Sequence, residues 1–284
     1  MTNHSLEEEL TQEISDAYNT LKNYRGEPNQ ELDQYYITEE SSLQRASLVN
    51  PKQYDGKRII LLGDMDLVAL SIGMISKPKD LAVLDIDKRV PEIVFKMKFD
   101  YKIRSIRYIN HDIRIRMINV LKNQFDYIFI EPPATKEGLE LGLSRAIQCA
   151  KKDNAAQIFF SFDIEEEKKE SILKMIDKME IKLIDILPNF NNYDFDTPLG
   201  RRNSDLYILQ AKSESKETIS NHYFGPLYYR ESNELPYPYL CKCGVIHKVG
   251  EGGDYVNIED LQEKGCPECG YNEEFLYNSS IKME

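Results

Sequence analysis

Short apolar runs alternate with longer amphipathic segments from about residue 58 onward. Five of the runs have the composition of buried strands: residues 59–62, 81–84, 106–109, 127–130 and 158–160. The segments between and after them have the apolar spacing of helices: residues 67–76, 90–99, 113–123, 137–151 and 165–179. This regular alternation predicts a parallel sheet with helices on both faces.

Two further apolar runs, residues 181–187 and 205–209, are separated by a long polar connection. We expect them to form an edge hairpin of the same sheet. A seven-stranded sheet that ends in such a pair resembles the class I methyltransferase-like fold, an α/β, Rossmann-like architecture that also includes the aminopropyltransferases. The sequence therefore predicts a catalytic domain of this fold in residues 51–232.

The N-terminal region, residues 1–50, is expected to contain an acidic helix and a linker. Residues 5–24 have apolar positions at helical spacing, and Ser5 and Glu8 have the spacing of a capping box. Gly26 begins the stretch that breaks the pattern. The apolar face of this helix would cover either an edge of the core or a partner chain, so the sequence leaves a homodimer open.

Composition and charge narrow the possible functions. The chain has 284 residues, 41% hydrophobic content and a formal net charge of -12, whereas nucleic-acid-binding proteins carry a surplus of Lys and Arg. An acidic protein suits cationic ligands better. The sequence has no apolar run of about 18 residues and no leader-like N-terminal pattern. We expect a cytoplasmic protein with no membrane segment and no nucleic-acid partner.

Carboxylates follow each of the first four predicted strands. The residues at these strand ends are Gly63, Asp64 and Asp66, then Asp85 and Asp87, then Asp112, and finally Glu131, Pro132 and Pro133. Because the carboxyl ends of parallel strands meet at one edge of a sheet, we expect these groups to surround one crevice. The alternative for each Asp is that it caps the helix that follows its strand.

The same residues suit a nucleoside donor, to which we assign Gly63, Asp85, Asp87, Asp112, Pro132 and Pro133. Asp85 is the expected ribose ligand because a carboxylate accepts hydrogen bonds from both hydroxyls of a diol, and Asp112 is placed to accept from an adenine amino group. In the first loop, Asp64 and Asp66 would repel the carboxylate of S-adenosylmethionine and attract an ammonium group. This loop therefore favours an aminopropyl donor, decarboxylated S-adenosylmethionine.

Four cysteines near the C-terminus form a separate module in residues 233–284. Cys241 and Cys243 make one pair and Cys266 and Cys269 another, each followed by glycine, with 22 residues between the pairs. Two such pairs complete a tetrahedral thiolate site, so we predict a structural zinc ribbon. Disulfides are the alternative, which a cytoplasmic protein disfavours.

Three other residues carry reactive side chains. Cys149, on a predicted helix, is expected to be a packed core thiol and not a nucleophile. His247 is a substitute ligand for the predicted zinc. His111 follows the third predicted strand, and the sequence leaves open whether it contacts a ligand or caps its loop.

The order of motifs along residues 33–230 resembles the branched-chain polyamine synthase family, whose members transfer aminopropyl groups to spermidine. The segments that carry this resemblance are residues 33–46, 62–67, 83–87, 125–138, 141–147 and 187–193. The sequence departs from the family pattern at Met65, Glu131 and Ala134, where the family has Asp, Asp and Tyr.

The resemblance implies transfer of an aminopropyl group from decarboxylated S-adenosylmethionine to a linear polyamine such as spermidine. Asp64 and Asp66 would then position the attacking amine, and Glu131 would share the acceptor contact or act as the base. Asn189 and Tyr193 would line the acceptor pocket, with packing and turn formation as the alternative for both.

Two other functions stay open at this stage. A strand end that contains Pro-Pro also presents amines in methyltransferases that use S-adenosylmethionine, but the acidic first loop counts against this reaction. A catalytically silent relative that acts as a binding or scaffold protein is favoured by Met65 and Ala134. The carboxylates retained at all four strand ends count against it.

Overall fold

The computed structural model describes residues 3–162, 169–197, 199–228, 236–250 and 252–278, with side chains from residue 10 onward. Up to the third strand the elements are α1 (Asn3–Arg25), a 3-10 turn (Gln30–Leu32), α2 (Glu39–Ala46), α3 (Pro51–Tyr54), β1 (Arg58–Leu62), α4 (Val68–Ile75), β2 (Asp80–Asp85), α5 (Val90–Phe99) and β3 (Ile106–Asn110). They continue with a 3-10 turn (Asn119–Leu121), β4 (Tyr127–Ile130), α6 (Lys136–Cys149), β5 (Gln157–Phe162), α7 (Lys169–Lys178), β6 (Lys182–Asn192) and β7 (Asn203–Gln210). The C-terminal elements are β8 (Tyr237–Leu240), β9 (Ile246–Val249), α8 (Ile258–Lys264) and β10 (Leu276–Tyr277).

Strands β1 to β7 form one sheet in the order β3-β2-β1-β4-β5-β7-β6. The first five strands pair in parallel, and β7 is antiparallel to both β5 and β6. This topology confirms the predicted seven-stranded α/β sheet with an edge hairpin. From β1 the chain runs outward to β2 and β3 on one side and then continues with β4 and β5 on the other side. This change of side opens a crevice at the carboxyl ends of β1 and β4, where open α/β sheets bind ligands.

Apolar side chains bury both faces of the sheet. One cluster joins α1, α2, α4 and α5 to the face that carries Ile59 and Leu61. The other joins α6 and α7 to the face that carries Ile60 and Leu62. Because successive strand residues point to opposite faces, a strand covered on both sides is continuously apolar, which explains the pattern Ile-Ile-Leu-Leu.

The N-terminal helix is confirmed, and α1 begins at Asn3, two residues before the expected cap at Ser5. The side chains of Ser5 and Glu8 lie outside the described ones. Further along α1, Ala17, Tyr18 and Leu21 are buried in the core of the same chain. This face of the helix therefore covers a core edge, which was one of the two alternatives, and is not free for a partner chain.

The helix predicted over residues 113–123 is wrong. This stretch is a loop with a 3-10 turn at Asn119–Leu121. Its sequence is rich in β-branched residues, which lose side-chain freedom in a helix. Met117 and Leu121 are buried in the core and Ile113 packs against it, while Val120 is 73% exposed. In contrast, the last predicted helix is present as Lys169–Lys178, and residues 165–168 lie outside the described part of the chain.

The C-terminal module has a sheet of its own in the order β10-β8-β9, with α8 beside it. Tyr239, Leu261 and Phe275 form its small core, together with buried Cys241 and Cys266. Tyr277 N donates to the carbonyl of Phe224 at 3.2 Å, so the module is joined to the chain that leads into it. Among the described residues, no helix combines the length and the apolar character needed to cross a membrane.

Candidate functional site

A cavity opens where β1, β2, β3 and β4 end. Gly63, Asp85, Asp112 and Glu131 line it, one at or just after the end of each strand. Gly63 has φ of +83°, which a residue with a side chain rarely adopts. Residues 32–36 and Arg45 form further walls, so the N-terminal region and the sheet edge build the site together.

The turn after β4 fixes the position of Glu131. Pro132 and Pro133 follow it and also line the cavity. Helix α6 packs so closely on this turn that a Cβ atom added to Gly142 would lie 2.7 Å from the Cβ of Pro132. Thr135 caps α6 with its hydroxyl oxygen. The backbone that carries Glu131 therefore has little freedom.

Arg45, on α2, bridges two carboxylates of the site. Its Nη1 lies 3.2 Å from Oδ2 of Asp66, and its Nη2 donates to Oε2 of Glu131. Its Nε donates to Oδ1 of Asn191 at 2.7 Å. Burial alone would lower the pKa of Arg45, but Glu131 and Asp66 raise it above its usual value. The guanidinium is therefore a permanent positive charge in the wall of the cavity.

Asp66 is the carboxylate of the first loop that faces this arginine. Its Oδ1 accepts a hydrogen bond from the backbone N of Ile37 at 3.0 Å. Burial raises the pKa of Asp66 to about 6, while Arg45 opposes the rise and Glu131 adds to it. A carboxylate that titrates near neutral pH has the property required of a proton acceptor.

Tyr193 is a buried residue that binds the second carboxylate oxygen of Glu131. Its hydroxyl donates to Oε1 of Glu131 and lies 2.7 Å from Oγ of Ser204. Burial raises the pKa of Tyr193 well above its usual value, so the hydroxyl keeps its proton. The predicted pocket residue thus contacts Glu131, and both carboxylate oxygens of Glu131 receive a hydrogen bond from the protein.

Asp64 caps helix α4. Its Oδ1 accepts from Val68 N at 2.8 Å and its Oδ2 from Ala69 N at 3.1 Å. The residue is 7% exposed, and burial raises the pKa of its carboxyl group well above the ordinary range. This geometry fits the capping alternative, while Asp64 also lines the cavity, so its predicted amine contact stays a prediction.

Asp85 and Asp87 have different surroundings. Asp85 lines the cavity, and burial raises the pKa of its carboxyl group. The carboxylate of Asp87 instead binds Arg89 and the amide nitrogen of Gln34, the latter at 2.8 Å. Burial would raise the pKa of Asp87, but the hydrogen bonds from Arg89 lower it to about 2. Asp87 therefore fastens the N-terminal region, and its predicted donor contact stays a prediction.

Asp112 and His111 line the cavity after β3. Asp112 accepts from the backbone N and the guanidinium of Arg114, each at 2.8 Å. The Nε2 atom of His111 is buried and has no hydrogen-bond partner among the described residues. Burial lowers the pKa of His111, which favours the neutral ring at this wall.

Asn189 lies outside the cavity. It is an exposed residue of β6 with φ of +52°, and its backbone N donates to Asp205 at 2.9 Å. Asn191, two positions later, is fully buried and accepts from Arg45. The side chain of β6 that contacts Arg45 is therefore that of Asn191, and the predicted pocket contact of Asn189 stays a prediction.

The segment that covers the cavity is fastened by two arginines that the sequence did not single out. Arg89 Nη1 donates to the carbonyls of Arg25 and Glu27, each at 2.6 Å. The guanidinium of Arg25 lies 3.9 Å from the centre of the Tyr36 ring and donates to the carbonyl of Met65 at 3.1 Å. Met65 therefore takes part in the site through its backbone.

The four predicted cysteine ligands converge in the C-terminal module. The Sγ atoms of Cys241, Cys243, Cys266 and Cys269 all lie within 4.8 Å of one another, with 3.5 Å between Cys241 and Cys269. In a tetrahedral site with Zn–S bonds of about 2.3 Å the sulfurs are about 3.8 Å apart, so the cluster fits zinc. Within the described residues His247 stays outside this group, where it packs edge-on against Phe275.

Residues 13–222 match the family model of the branched-chain polyamine synthase A C-terminal domain. The chain belongs to the branched-chain polyamine synthase family. The matched range contains every residue that lines the cavity except Tyr228, and it leaves out the cysteine module.

Curated relatives agree with this membership. An uncharacterized protein of Methanocaldococcus jannaschii is 33% identical over 246 residues, covering 84% of this chain and 59% of the relative. The N(4)-bis(aminopropyl)spermidine synthase of Thermococcus kodakarensis is 26% identical over 185 residues, covering 64% of this chain and 53% of that enzyme. The chain thus spans between half and three fifths of the length of these two relatives.

Solved structures share the fold of this polyamine synthase family member. The branched-chain polyamine synthase of Thermus thermophilus, in complex with N4-aminopropylspermidine and 5'-methylthioadenosine, superposes with a TM-score of 0.66 at 20% identity, over 75% of this chain and 67% of that chain. A putative RNA methyltransferase of Pyrococcus horikoshii superposes with a TM-score of 0.53 at 17% identity, over 71% and 98%. The second match confirms the methyltransferase-like architecture.

Proposed function

We propose that this protein is an aminopropyltransferase that moves an aminopropyl group from decarboxylated S-adenosylmethionine to a linear polyamine such as spermidine. The observation that carries the proposal is the pair Asp66 and Glu131, which lie with Arg45 in the wall of a cavity at the strand ends. Family membership and the name of the curated relatives, N(4)-bis(aminopropyl)spermidine synthase, support the same reaction.

The reaction is an in-line displacement at the carbon beside a sulfonium. A neutral amine nitrogen of the acceptor forms a bond to that carbon, the C–S bond breaks, and its electron pair stays on sulfur to give 5'-methylthioadenosine. The amine then releases one proton. In our proposal Asp66 accepts this proton, directly or through water, and Glu131 holds the acceptor by contact with its nitrogen atoms.

The donor would occupy the part of the cavity formed by β2, β3 and β4. Asp85 would accept hydrogen bonds from the ribose hydroxyls, and Asp112 and His111 would lie near the adenine. Gly63 and the Pro132 and Pro133 turn would shape the space between the two substrates. The Thermus structure holds 5'-methylthioadenosine, the product of such a donor, which supports this class of ligand.

The first loop supports a donor without a carboxylate. Asp64 is a buried and Asp66 a partly buried carboxyl group at the cavity, and the side chain of Asp64 binds the backbone amides of Val68 and Ala69. Those amides are then not available for the carboxylate of S-adenosylmethionine. This favours decarboxylated S-adenosylmethionine over the methyl donor.

We further propose that the cysteine cluster holds a structural zinc ion. Thiolates of Cys241, Cys243, Cys266 and Cys269 would fill a tetrahedral shell, and the fit of their Sγ positions supports this. Such an ion supplies folding stability to a module whose own core is small.

A mass-spectrometric product assay tests the function. The purified, zinc-loaded protein is offered decarboxylated and ordinary S-adenosylmethionine separately, each with a panel of linear polyamines. We expect a mass gain of one aminopropyl group on one acceptor with the decarboxylated donor only. Methylation with the ordinary donor would overturn the assignment of the first loop, and no product from either donor would favour a binding or scaffold role.

A further inference from the structure

Arg45 occupies an unusual place for a positive charge. The proposed acceptor is itself a cation, yet a guanidinium with a 7% exposed side chain stands between Asp66 and Glu131. A residue that served only to attract polyamines would be an acid. The role of Arg45 must therefore lie in what it does to the two carboxylates.

The backbone holds Arg45 firmly in this position. Helix α2 is joined to the end of β6, because Asn192 N donates to Oγ of Ser41 at 2.9 Å and Thr38 N donates to the carbonyl of Asn192 at 2.7 Å. Asn191 then binds Nε of Arg45. These contacts fix the guanidinium against the carboxylates without help from a ligand.

The charges that face Asp66 come from several elements. Groups that interact with it are Arg45 on α2, Arg25 and Tyr18 on α1, Asp64 in its own loop and Glu131 after β4. Of the cations in this set, Arg45 is the one in direct contact with the Asp66 carboxylate. Burial and Glu131 raise the pKa of Asp66, and among its neighbours Arg45 opposes this rise most strongly.

We propose that Arg45 is a positioning residue that keeps Asp66 ionised at neutral pH, and so able to take a proton from the attacking amine. This inference rests on the proposed function. Glu131 is the fixed partner in this arrangement, because Arg45 and Tyr193 bind its two oxygens. Arg45 thus balances the charge of Glu131 and at the same time keeps Asp66 ready to act as the base.

The charge of Arg45 can be separated from its shape by two variants. R45Q removes the charge, while R45K keeps the charge and loses the forked geometry. R58Q is the matched control, because Arg58 is the first residue of β1, at the opposite end of the sheet, where it binds Asp80 at 3.1 Å. Circular dichroism establishes that each variant is folded.

Two readouts follow Asp66. The first is the pH profile of kcat/KM for aminopropyl transfer. The second is a substrate-free 13C NMR titration of the Asp66 carboxyl carbon, assigned by its absence in D66N. In the wild-type protein we expect the carboxyl group to titrate with a midpoint near 6. In R45Q we expect both the acid limb of the profile and the NMR midpoint to move up by at least about one pH unit. Below the midpoint this shift corresponds to a fall in kcat/KM of about tenfold.

R45K and R58Q should keep the wild-type midpoint, even where R45K lowers the rate at every pH. An unchanged NMR midpoint in R45Q, or a loss of rate that is equal at all pH values, would overturn the proposal and leave Arg45 a structural residue. If R45Q does not fold, the wild-type titration still decides, because a midpoint above 7 would mean that Asp66 is protonated at neutral pH. Absence of transfer by the wild-type protein would instead overturn the proposed function. The titration needs no substrate, so it tests the role of Arg45 separately from the transfer reaction.

Discussion

Tyr193 donates its hydroxyl hydrogen to Glu131, across 62 positions of the sequence. Glu131 follows β4 and Tyr193 follows β6, and β5 and β7 lie between these two strands in the sheet. Beyond β6, Tyr193 pairs with Ile37 in an isolated antiparallel bridge, which holds it beside the N-terminal region. Glu131 is thereby held in one orientation before any ligand binds, which is the condition for efficient catalysis by a fixed charge.

Replacing Glu131 by Gln tests its role directly. E131Q keeps the size of the side chain but removes the charge that Arg45 and Tyr193 bind. We expect the fold to survive and kcat/KM for aminopropyl transfer to fall by at least about 100-fold. E170Q, at a side chain that is 78% exposed, is the control and should keep full activity. Equal activity of the two variants would remove Glu131 from the mechanism.

Replacing Tyr193 by Phe tests the support of Glu131. Y193F leaves an oxygen of Glu131 and Oγ of Ser204 without this hydroxyl, so we expect unfolding free energy to fall by about 1–3 kcal/mol. We also expect kcat to fall while KM for the donor changes little, because Tyr193 binds Glu131, which is the proposed contact of the acceptor and not of the donor. Urea denaturation and steady-state kinetics measure both effects. Y24F, at an exposed tyrosine, is the control.

Asn191 and Asn189 provide a matched pair. N191A removes the acceptor for Nε of Arg45, and we expect a loss of about 1–3 kcal/mol in unfolding free energy together with a lower rate. N189G places glycine at a residue that already has φ of +52°, so we expect no loss of unfolding free energy and a rate within about twofold of the wild-type value. A rate loss in N189G larger than that in N191A would support the sequence assignment of Asn189.

The carboxylates at the strand ends were open to prediction from sequence, and the arginine between them was not. Asp85, Asp112 and Glu131 follow apolar runs, and a parallel sheet brings the ends of its strands to one edge. Arg45 lies in the polar segment Glu39–Ala46, 21 residues from Asp66 and 86 from Glu131. At the end of a short polar helix, an arginine has the pattern of a solvated residue that interacts with the helix dipole.

Local chemistry also decided between the readings of each Asp. Asp64, Asp85 and Asp87 all lie near the end of a strand, and Asp64 and Asp85 both line the cavity. Asp64 also binds the first amides of α4, whereas Asp87 binds Arg89. The sequence does not fix these outcomes, because they depend on where α4 begins and on contacts with the N-terminal region. A signal for the buried face of α2 was present: Ser41, Ser42, Arg45 and Ala46 share one side of the helix, and all four are buried.

The buried acids predict an unusual dependence of stability on pH. The folded-state pKa of Asp66 is about 6, above the ordinary value of 3.8, so between these values the folded protein binds more protons than the unfolded chain. Unfolding free energy should therefore fall as pH rises through this window, by up to about 3 kcal/mol from Asp66 alone. Urea denaturation at a series of pH values should show a smaller decrease in D66N than in the wild-type protein. A wild-type stability that rises steadily from pH 4 to pH 6.5 would contradict this prediction.

Zinc removal should separate the two parts of the chain. The core of the C-terminal module consists of a few residues around Tyr239, Leu261 and Phe275, which is too little to offset the loss of chain entropy without the ion. We expect about one zinc per chain by atomic emission, and C243S should lose it and expose the module to limited proteolysis. C149A is the control, because Cys149 is a buried thiol of α6 outside the cluster, and it should keep its zinc.

The sheet of β1 to β7 has separate core clusters on its two faces, so its far-ultraviolet circular dichroism should persist in C243S. Loss of both signals together would show that the module and the sheet fold as one cooperative unit.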